Sequence, residues 1–360
     1  MEDTLPTEEA GQPVQSEAVQ PEIVSNRDCA GCGQPAMDGD HPTPLCAGCR
    51  SQFVRFPIPL WIRVFAACIG ALVLFSLFTF PKDLSLGIGL EKGERAEKEK
   101  NYVTAQRTME AILQKVPGNI EAEGHLMIDA FYNQDMQTFA AQFKNLKDAH
   151  IEDKDLFASM EKTIEKADSY FNNDSFSNFM TAYPNTQPAD SAWAGYFIRN
   201  QHDAYALLMY ASILRDRKDY ARTDSCMRLL LSWDRESYPA LELMSSLKRE
   251  EFKPDEALIY NDRLLNINRE LSYGVSSKAR TLLMQKKDRE ALDLALKASE
   301  LKKDDSYAQA TLILAYHYNH RLEDRDALIK KARTAMKDSS ENGSLQYALD
   351  VINNKEKFRD

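Results

Sequence analysis

Three consecutive stretches, DAYALLMYASILRDRKDYARTDSCMRLLLSWDRE (Asp203 to Glu236), SYPALELMSSLKREEFKPDEALIYNDRLLNINRE (Ser237 to Glu270) and LSYGVSSKARTLLMQKKDREALDLALKASELKKD (Leu271 to Asp304), line up at an interval of 34 residues. In the first half of each, the small residues Ala211, Ser245 and Ala279 recur, and Leu207, Leu241 and Val275 precede them by four. In the second half Thr223, Ala257 and Ala291 keep the same interval, followed by Leu230, Leu264 and Ala298. From about Ser85 onward Ala, Leu, Lys, Glu and Met dominate, and apolar residues return at three- and four-residue spacing, which predicts helix. Small residues let two helices pack closely, and the apolar positions seven further on fill the seam with the next pair. The expected fold class is all-α.

This pattern resembles the tetratricopeptide repeat family, a 34-residue helix–turn–helix unit that stacks into a solenoid. The best single match runs from Gly87 to Pro117, with Gly93 and Ala96 in the first helix, Asn101-Tyr102 at the turn, and Ala105, Met109 and Ile112 in the second helix. A poorer unit follows to about Asp153, with Ala130, Phe143 and Leu146 in comparable places, and Lys218-Asp219-Tyr220 repeats the earlier turn. The resemblance covers most of Leu86 to Lys337, with three departures. The closing proline is missing after Glu236, Glu270 and Asp304, and Asn261 stands where a bulky apolar residue is normal. Lys154 to Asp203 does not keep the period, and Tyr183-Pro184 with Gln187-Pro188 suggests a break that could separate or kink two stacks. An irregular helical solenoid with an accidental period is the alternative, against which stand three coincident positions over three units.

The resemblance implies that the first helices line a binding face, with Ser212, Arg215, Ser246, Arg249 and Arg280 among the inward side chains. The lysine and asparagine set by which some members clamp a terminal carboxylate is absent, since Leu208, Glu242 and Ser276 occur instead. The implied ligand is a protein or peptide, extended or helical, with acidic residues.

Upstream, Val64 to Phe80 reads VFAACIGALVLFSLFTF without a charge. Extended back to Ile58 it makes about 34 Å of helix at about 1.5 Å per residue, against a hydrocarbon core of about 30 Å. A single transmembrane helix over 58–80 is expected, with Trp61 at the interface, Arg63 snorkelling, and Pro81 and Lys82 ending it. The acidic leader and the distance from Met1 argue for a retained signal anchor, not a cleaved signal peptide. Arg50, Arg55 and Arg63 lie closer in than Lys82, Lys92 and Arg95, which places the N-terminus in the cytoplasm of a bacterium and the repeats beyond its inner membrane. Ala67 with Ala71, or Ala66 with Gly70, has the spacing that lets two such helices form a homodimer.

Residues 1–26 hold Glu and Asp with no basic partner and few large apolar groups, so a disordered acidic tail is expected. Then come Cys29-Ala-Gly-Cys32-Gly33 and Cys46-Ala-Gly-Cys49. Each pair puts two thiols on a tight turn, with Gly31 and Gly48 supplying positive backbone angles, and together they offer a tetrahedral sulfur shell. Residues 27–51 resemble the zinc-ribbon family, which implies a closed structural zinc site on Cys29, Cys32, Cys46 and Cys49. His41 is read as an exposed loop residue. A redox role for one CxxC lacks a βαβ context, and an iron–sulfur or other metal remains the alternative.

A net charge of −10 speaks against sequence-independent nucleic-acid binding. No nucleophile elbow, HExxH, phosphate loop or GxGxxG is present, so no enzymatic activity is expected. His317 and His320 would share a helical face, and the Tyr and Phe residues at helical spacing are read as core. The domains expected are thus 1–26, 27–51, 58–80, repeats over 85–153, an irregular helical region 154–203, repeats over 204–337, and a terminal helix or tail 338–360. Three functions compete: a membrane-tethered scaffold, a transmembrane sensor coupling zinc ribbon to repeats, and an enzyme hidden in 154–203. The scaffold comes first.

Overall fold

The computed structural model describes residues 28–35, 43–54, 58–335 and 342–359, with the side chains of 54, 77–83, 335 and 342 outside the described set. The expected tail 1–26, His41 and Arg55 also lie outside the described residues. The chain divides into two compact units, Met1–Phe80 and Pro81–Asp360.

Helix α1 (Ala47–Val54) belongs to the first unit, and α2 (Leu60–Lys98) runs across the division. The second unit continues with α3 (Tyr102–Lys115), α4 (Ile120–Tyr132), α5 (Met136–Leu146), α6 (Lys154–Asp168), α7 (Asp174–Thr181) and α8 (Asp190–Arg199). Four hairpins follow: α9 (Ala204–Asp216) with α10 (Tyr220–Trp233), α11 (Tyr238–Glu250) with α12 (Pro254–Ile267), α13 (Ser272–Met284) with α14 (Asp288–Leu301), and α15 (Ser306–Tyr318) with α16 (Leu322–Ala335). The last helix is α17 (Asn342–Ile352), which packs on α15. Among the described residues the only bridge of β type is the isolated pair Asp28 and Pro35, so the architecture is all-α.

The starts of α9, α11, α13 and α15 fall 34 residues apart, and so do those of α10, α12, α14 and α16. Each first helix packs on its own second helix, and each second helix on the next first helix, which makes a solenoid of tetratricopeptide-like hairpins. All twelve period positions read from the sequence are buried, from Ala211 and Leu207 to Ala291 and Ala298. The turn inside each hairpin is made by a residue that sequence reading passed over. Lys100, Gln134, Lys218, Phe252, Lys286 and His320 all have φ between 57° and 62°. The following amide donates to the carbonyl five residues back, as Asp219 does to Leu214 at 2.9 Å and Lys253 to Lys248 at 2.8 Å. A left-handed non-glycine residue costs about 1 kcal/mol, and this bond across the helix end offsets it.

Three expectations need correction. Pro81 does not end a helix, because α2 continues to Lys98 and its last turns serve as the first helix of the Gly87–Pro117 unit. There a Cβ on Gly93 would stand 2.2 Å from Met109 Cε, which explains the glycine. Phe143 is 42% exposed, and Phe139 fills the seam instead. His320 lies in the turn after α15, not on it, and His317 meets Arg325 at 3.1 Å.

Among the described residues no helix is long and apolar enough to cross a membrane. The described apolar side chains of α2 run from Leu60 to Ser76, about 25 Å of helix against a core of about 30 Å.

Two features position the second unit's binding face. The period survives one helix beyond expectation: α6 starts 34 residues after α4 and packs on it, and the period is lost only after Asp168. The two stacks are also not separate. Lys100 Nζ reaches Asn266 O at 2.6 Å, Glu270 accepts from the Thr104 amide and hydroxyl at 2.8 Å each, and Asn268 Nδ2 donates to Tyr132 O at 2.9 Å.

Candidate functional site

In the first unit the four cysteines converge, with all Sγ atoms within 4.8 Å of one another. Cys32 and Cys46 Sγ stand 3.5 Å apart, and the Cys46 amide donates to Cys29 Sγ at 3.1 Å. Ala30 N–H donates to Pro44 O at 2.9 Å and ties one knuckle to the other. The glycine roles differ from expectation. Gly33, not Gly31 or Gly48, has positive φ, at 74°. A Cβ on Gly31 would come 3.1 Å from Cys49 Sγ, so its absence permits the close approach of the two knuckles. Gly48 sits inside α1, which grows from the second knuckle where a ribbon strand was expected. The zinc-ribbon likeness therefore stops at the knuckle pair.

Sulfurs about 3.8 Å apart are what a tetrahedral ion with bonds of about 2.3 Å requires. The amide of Cys46 pulls the Cys29 thiol down to about 6, while the side chains of Cys32 and then Cys46 push Cys49 up to about 12. One thiolate crowded by thiols is the state expected of this set before a cation joins it. The four thiols fit one metal ion.

In the second unit the residues expected to line the binding face fall along the row of first helices. Ser212 is spent on its own helix, donating to Leu208 O at 3.0 Å. Arg215 is paired with Glu250 through two bonds of 2.6 and 3.0 Å. Ser246, Arg249 and Arg280 come together with two residues that sequence reading assigned to core, Tyr273 and Tyr307. Their rings stack at 4.8 Å. The signal that could have found them is their own 34-residue interval.

Arg249 donates to Ser277 Oγ at 2.5 Å, Ser245 Oγ at 2.8 Å and the Tyr307 hydroxyl at 3.1 Å. Arg280 donates to Thr311 Oγ1 at 2.8 Å, and its guanidinium lies 3.8 Å from the Tyr307 ring centre. Among the described residues neither arginine has a carboxylate partner. Burial raises the Tyr307 phenol, but Arg249 and Arg280 outweigh it and hold its pKa below the ordinary value. Two guanidiniums sharing one aromatic shelf without a counter-anion make a site for an anionic group.

Asn261, the polar residue at an apolar position, is fully buried and accounted for. Ser245 Oγ donates to its Oδ1 at 2.6 Å, and its Nδ2 donates to Thr281 Oγ1 at 2.9 Å.

Glu242, one turn before Ser246, is half-buried. Burial, and then the Asp305 carboxylate, push its pKa from 4.5 up to about 8. The folded value lies above the unfolded one, so the stability linked to this group is complete below about pH 4.5 and lost as pH rises through about 8. The whole shift corresponds to about 5 kcal/mol, and contact with water lowers this to about 2 kcal/mol. Glu242→Gln is expected to gain about 2 kcal/mol over the parent at about pH 9 and nothing at about pH 4. Urea unfolding at both pH values checks this, and identical pH dependence of the two proteins refutes it.

No protein-family model matches this chain, and no curated protein does. Among solved structures it is similar to pilF of Pseudomonas aeruginosa, at 13% identity over 74% of this chain and 99% of that one, TM-score 0.35. It is similar to a tetratricopeptide repeat protein from Parabacteroides merdae, at 13% identity over 75% of this chain and 100% of that one, TM-score 0.38. It is also similar to yeast Tom70, at 13% identity over 71% of this chain and 59% of that one, TM-score 0.37.

Proposed function

We propose that this chain is a single-pass, membrane-tethered, non-catalytic helical-repeat scaffold that binds an acidic segment of a protein or peptide partner on its first-helix row. The observation that carries the reading is the pair Arg249 and Arg280, set on the Tyr307 ring and hydroxyl and without a carboxylate among the described residues. An arginine fork prefers a carboxylate to water once its surroundings are partly dry, and two forks on one aromatic face add geometric selectivity. In this reading the cysteine cluster holds a structural zinc ion, which all-sulfur tetrahedral donors favour.

The tether rests on the first unit. From Leu60 onward α2 carries large apolar side chains turned outward, with Leu60 76%, Trp61 69% and Leu72 67% exposed. An apolar face of that extent needs cover, and residues 58–80 as a whole have the length to find it in a bilayer. The positive flank and the reduced thiols support a cytoplasmic N-terminus with the repeats on the other side of a bacterial inner membrane.

One experiment tests both halves. The full chain is mixed into liposomes, floated after an alkaline carbonate wash, and exposed to a fluorescein-labelled glutamate-rich peptide and to a lysine-rich control. The chain should float with the lipid and take up the acidic peptide saturably. Release by carbonate ends the tether, and equal uptake of both peptides ends the acidic-partner reading.

A further inference from the structure

Helix α4 carries Glu121, His125 and Asp129 at successive four-residue steps, so the three share one face. α2 meets that face with Glu94 and Glu97. Glu94, Glu121 and His125 each bring a ligand atom within 4.8 Å of the others. Around a six-coordinate ion with bonds of about 2.1 Å, ligand atoms stand about 3 Å apart when adjacent and about 4.2 Å when opposite. Side-chain adjustments of about an ångström would close the set on one ion.

Two further observations point to a ligand. Glu97 Oε1 lies 2.7 Å from His125 Nδ1, the arrangement by which a carboxylate fixes an imidazole and leaves Nε2 as the donor to a metal. Asp129, one turn on, is 0% exposed, and neither of its carboxylate oxygens has a hydrogen-bond partner. A buried carboxylate with neither partner nor cation is strongly disfavoured. Four carboxylates thus surround one imidazole. The lysine paired with them, Lys98, sits at the exposed rim, 3.3 Å from Glu94. A cleft of ≈450 Å³ lined by Glu94, Glu97, Lys98 and His125 opens the seam to solvent.

We propose that the seam between α2 and α4 binds one divalent metal cation of oxygen and nitrogen preference, with Glu94, Glu121 and His125 as ligands. Glu97 is the positioning residue for the imidazole, and Asp129 supplies buried counter-charge. The donors are hard where the cysteines of the first unit are soft, so the two sites select different ions.

The test uses the full chain with its cysteines saturated in zinc, titrated with Mn²⁺ and read by loss of the aqueous Mn²⁺ electron paramagnetic resonance signal. One Mn²⁺ per chain is expected. Glu94→Gln and Glu121→Gln, both half-exposed, should weaken it at least tenfold while the helical circular dichroism stays unchanged, and Glu97→Gln should weaken it about tenfold to a hundredfold. A Cys29→Ser, Cys46→Ser chain should bind Mn²⁺ as the parent does. No saturable Mn²⁺ in the parent, unchanged affinity in both glutamine variants, or loss of Mn²⁺ with the cysteines overturns the proposal.

Discussion

Replacing Arg249 and Arg280 together by glutamine is expected to weaken binding of the glutamate-rich peptide about a hundredfold, with little change in thermal unfolding. Each charge-assisted hydrogen bond to a carboxylate contributes about 1.5–3 kcal/mol, and losing two removes about 3 kcal/mol, which is about two decades in affinity. Glutamine still reaches Ser277 or Thr311, so the hydroxyls that the arginines now satisfy at 2.5 and 2.8 Å are not stranded. The parent affinity should fall with added salt, and the salt dependence of the double variant should be shallower. Fluorescence anisotropy at two ionic strengths measures both. A double variant that binds as tightly as the parent, with the same salt response, would move the partner site away from this row.

The second large effect concerns the thiols. Full-length chain purified in reducing buffer is expected to carry one zinc per chain, and Cys29→Ser with Cys46→Ser to carry none. Apparent binding energies of about 10–16 kcal/mol for such sites make the metal the main source of order in a segment this small. Because α1 grows directly out of the Cys46 knuckle, losing the ion should unwind it and expose the bond after Arg50 to trypsin. Elemental analysis and limited proteolysis give the two readouts. Metal-free protein with Arg50 still protected would sink the structural-zinc reading.

The interval in the sequence carried most of the second unit, because small residues that let helices approach must recur wherever the approach recurs. It missed the hairpin turns, since left-handed positions filled by Lys, Gln, Phe and His look like ordinary surface residues, and only glycine would have betrayed them. Pro81 misled for a related reason. A proline inside a helix sacrifices one amide and crowds one carbonyl, a cost of about 3 kcal/mol that a long apolar helix absorbs more readily than a short one. At the binding face, Arg249 and Arg280 were legible from register alone, whereas Tyr273 and Tyr307 were not. Aromatic side chains at helical spacing are written the same way whether they fill a core or floor a groove. The stripe Glu121, His125, Asp129 was readable in principle, but its significance depends on α2 lying opposite, and that pairing has no trace within α4.

The buried ladder of Ser245, Asn261 and Thr281 has a consequence beyond local satisfaction. A row of near-equivalent hairpins faces an addressing problem, because any first helix could dock on almost any second helix with similar apolar gain. Asn261 removes that ambiguity at one junction. Docked against a neighbouring hairpin, or slipped by a turn, its amide would lie in a dry seam with nothing to bond, a penalty of about 1–3 kcal/mol. The amide thus acts as a keyed connector, telling the chain which unit comes next to which.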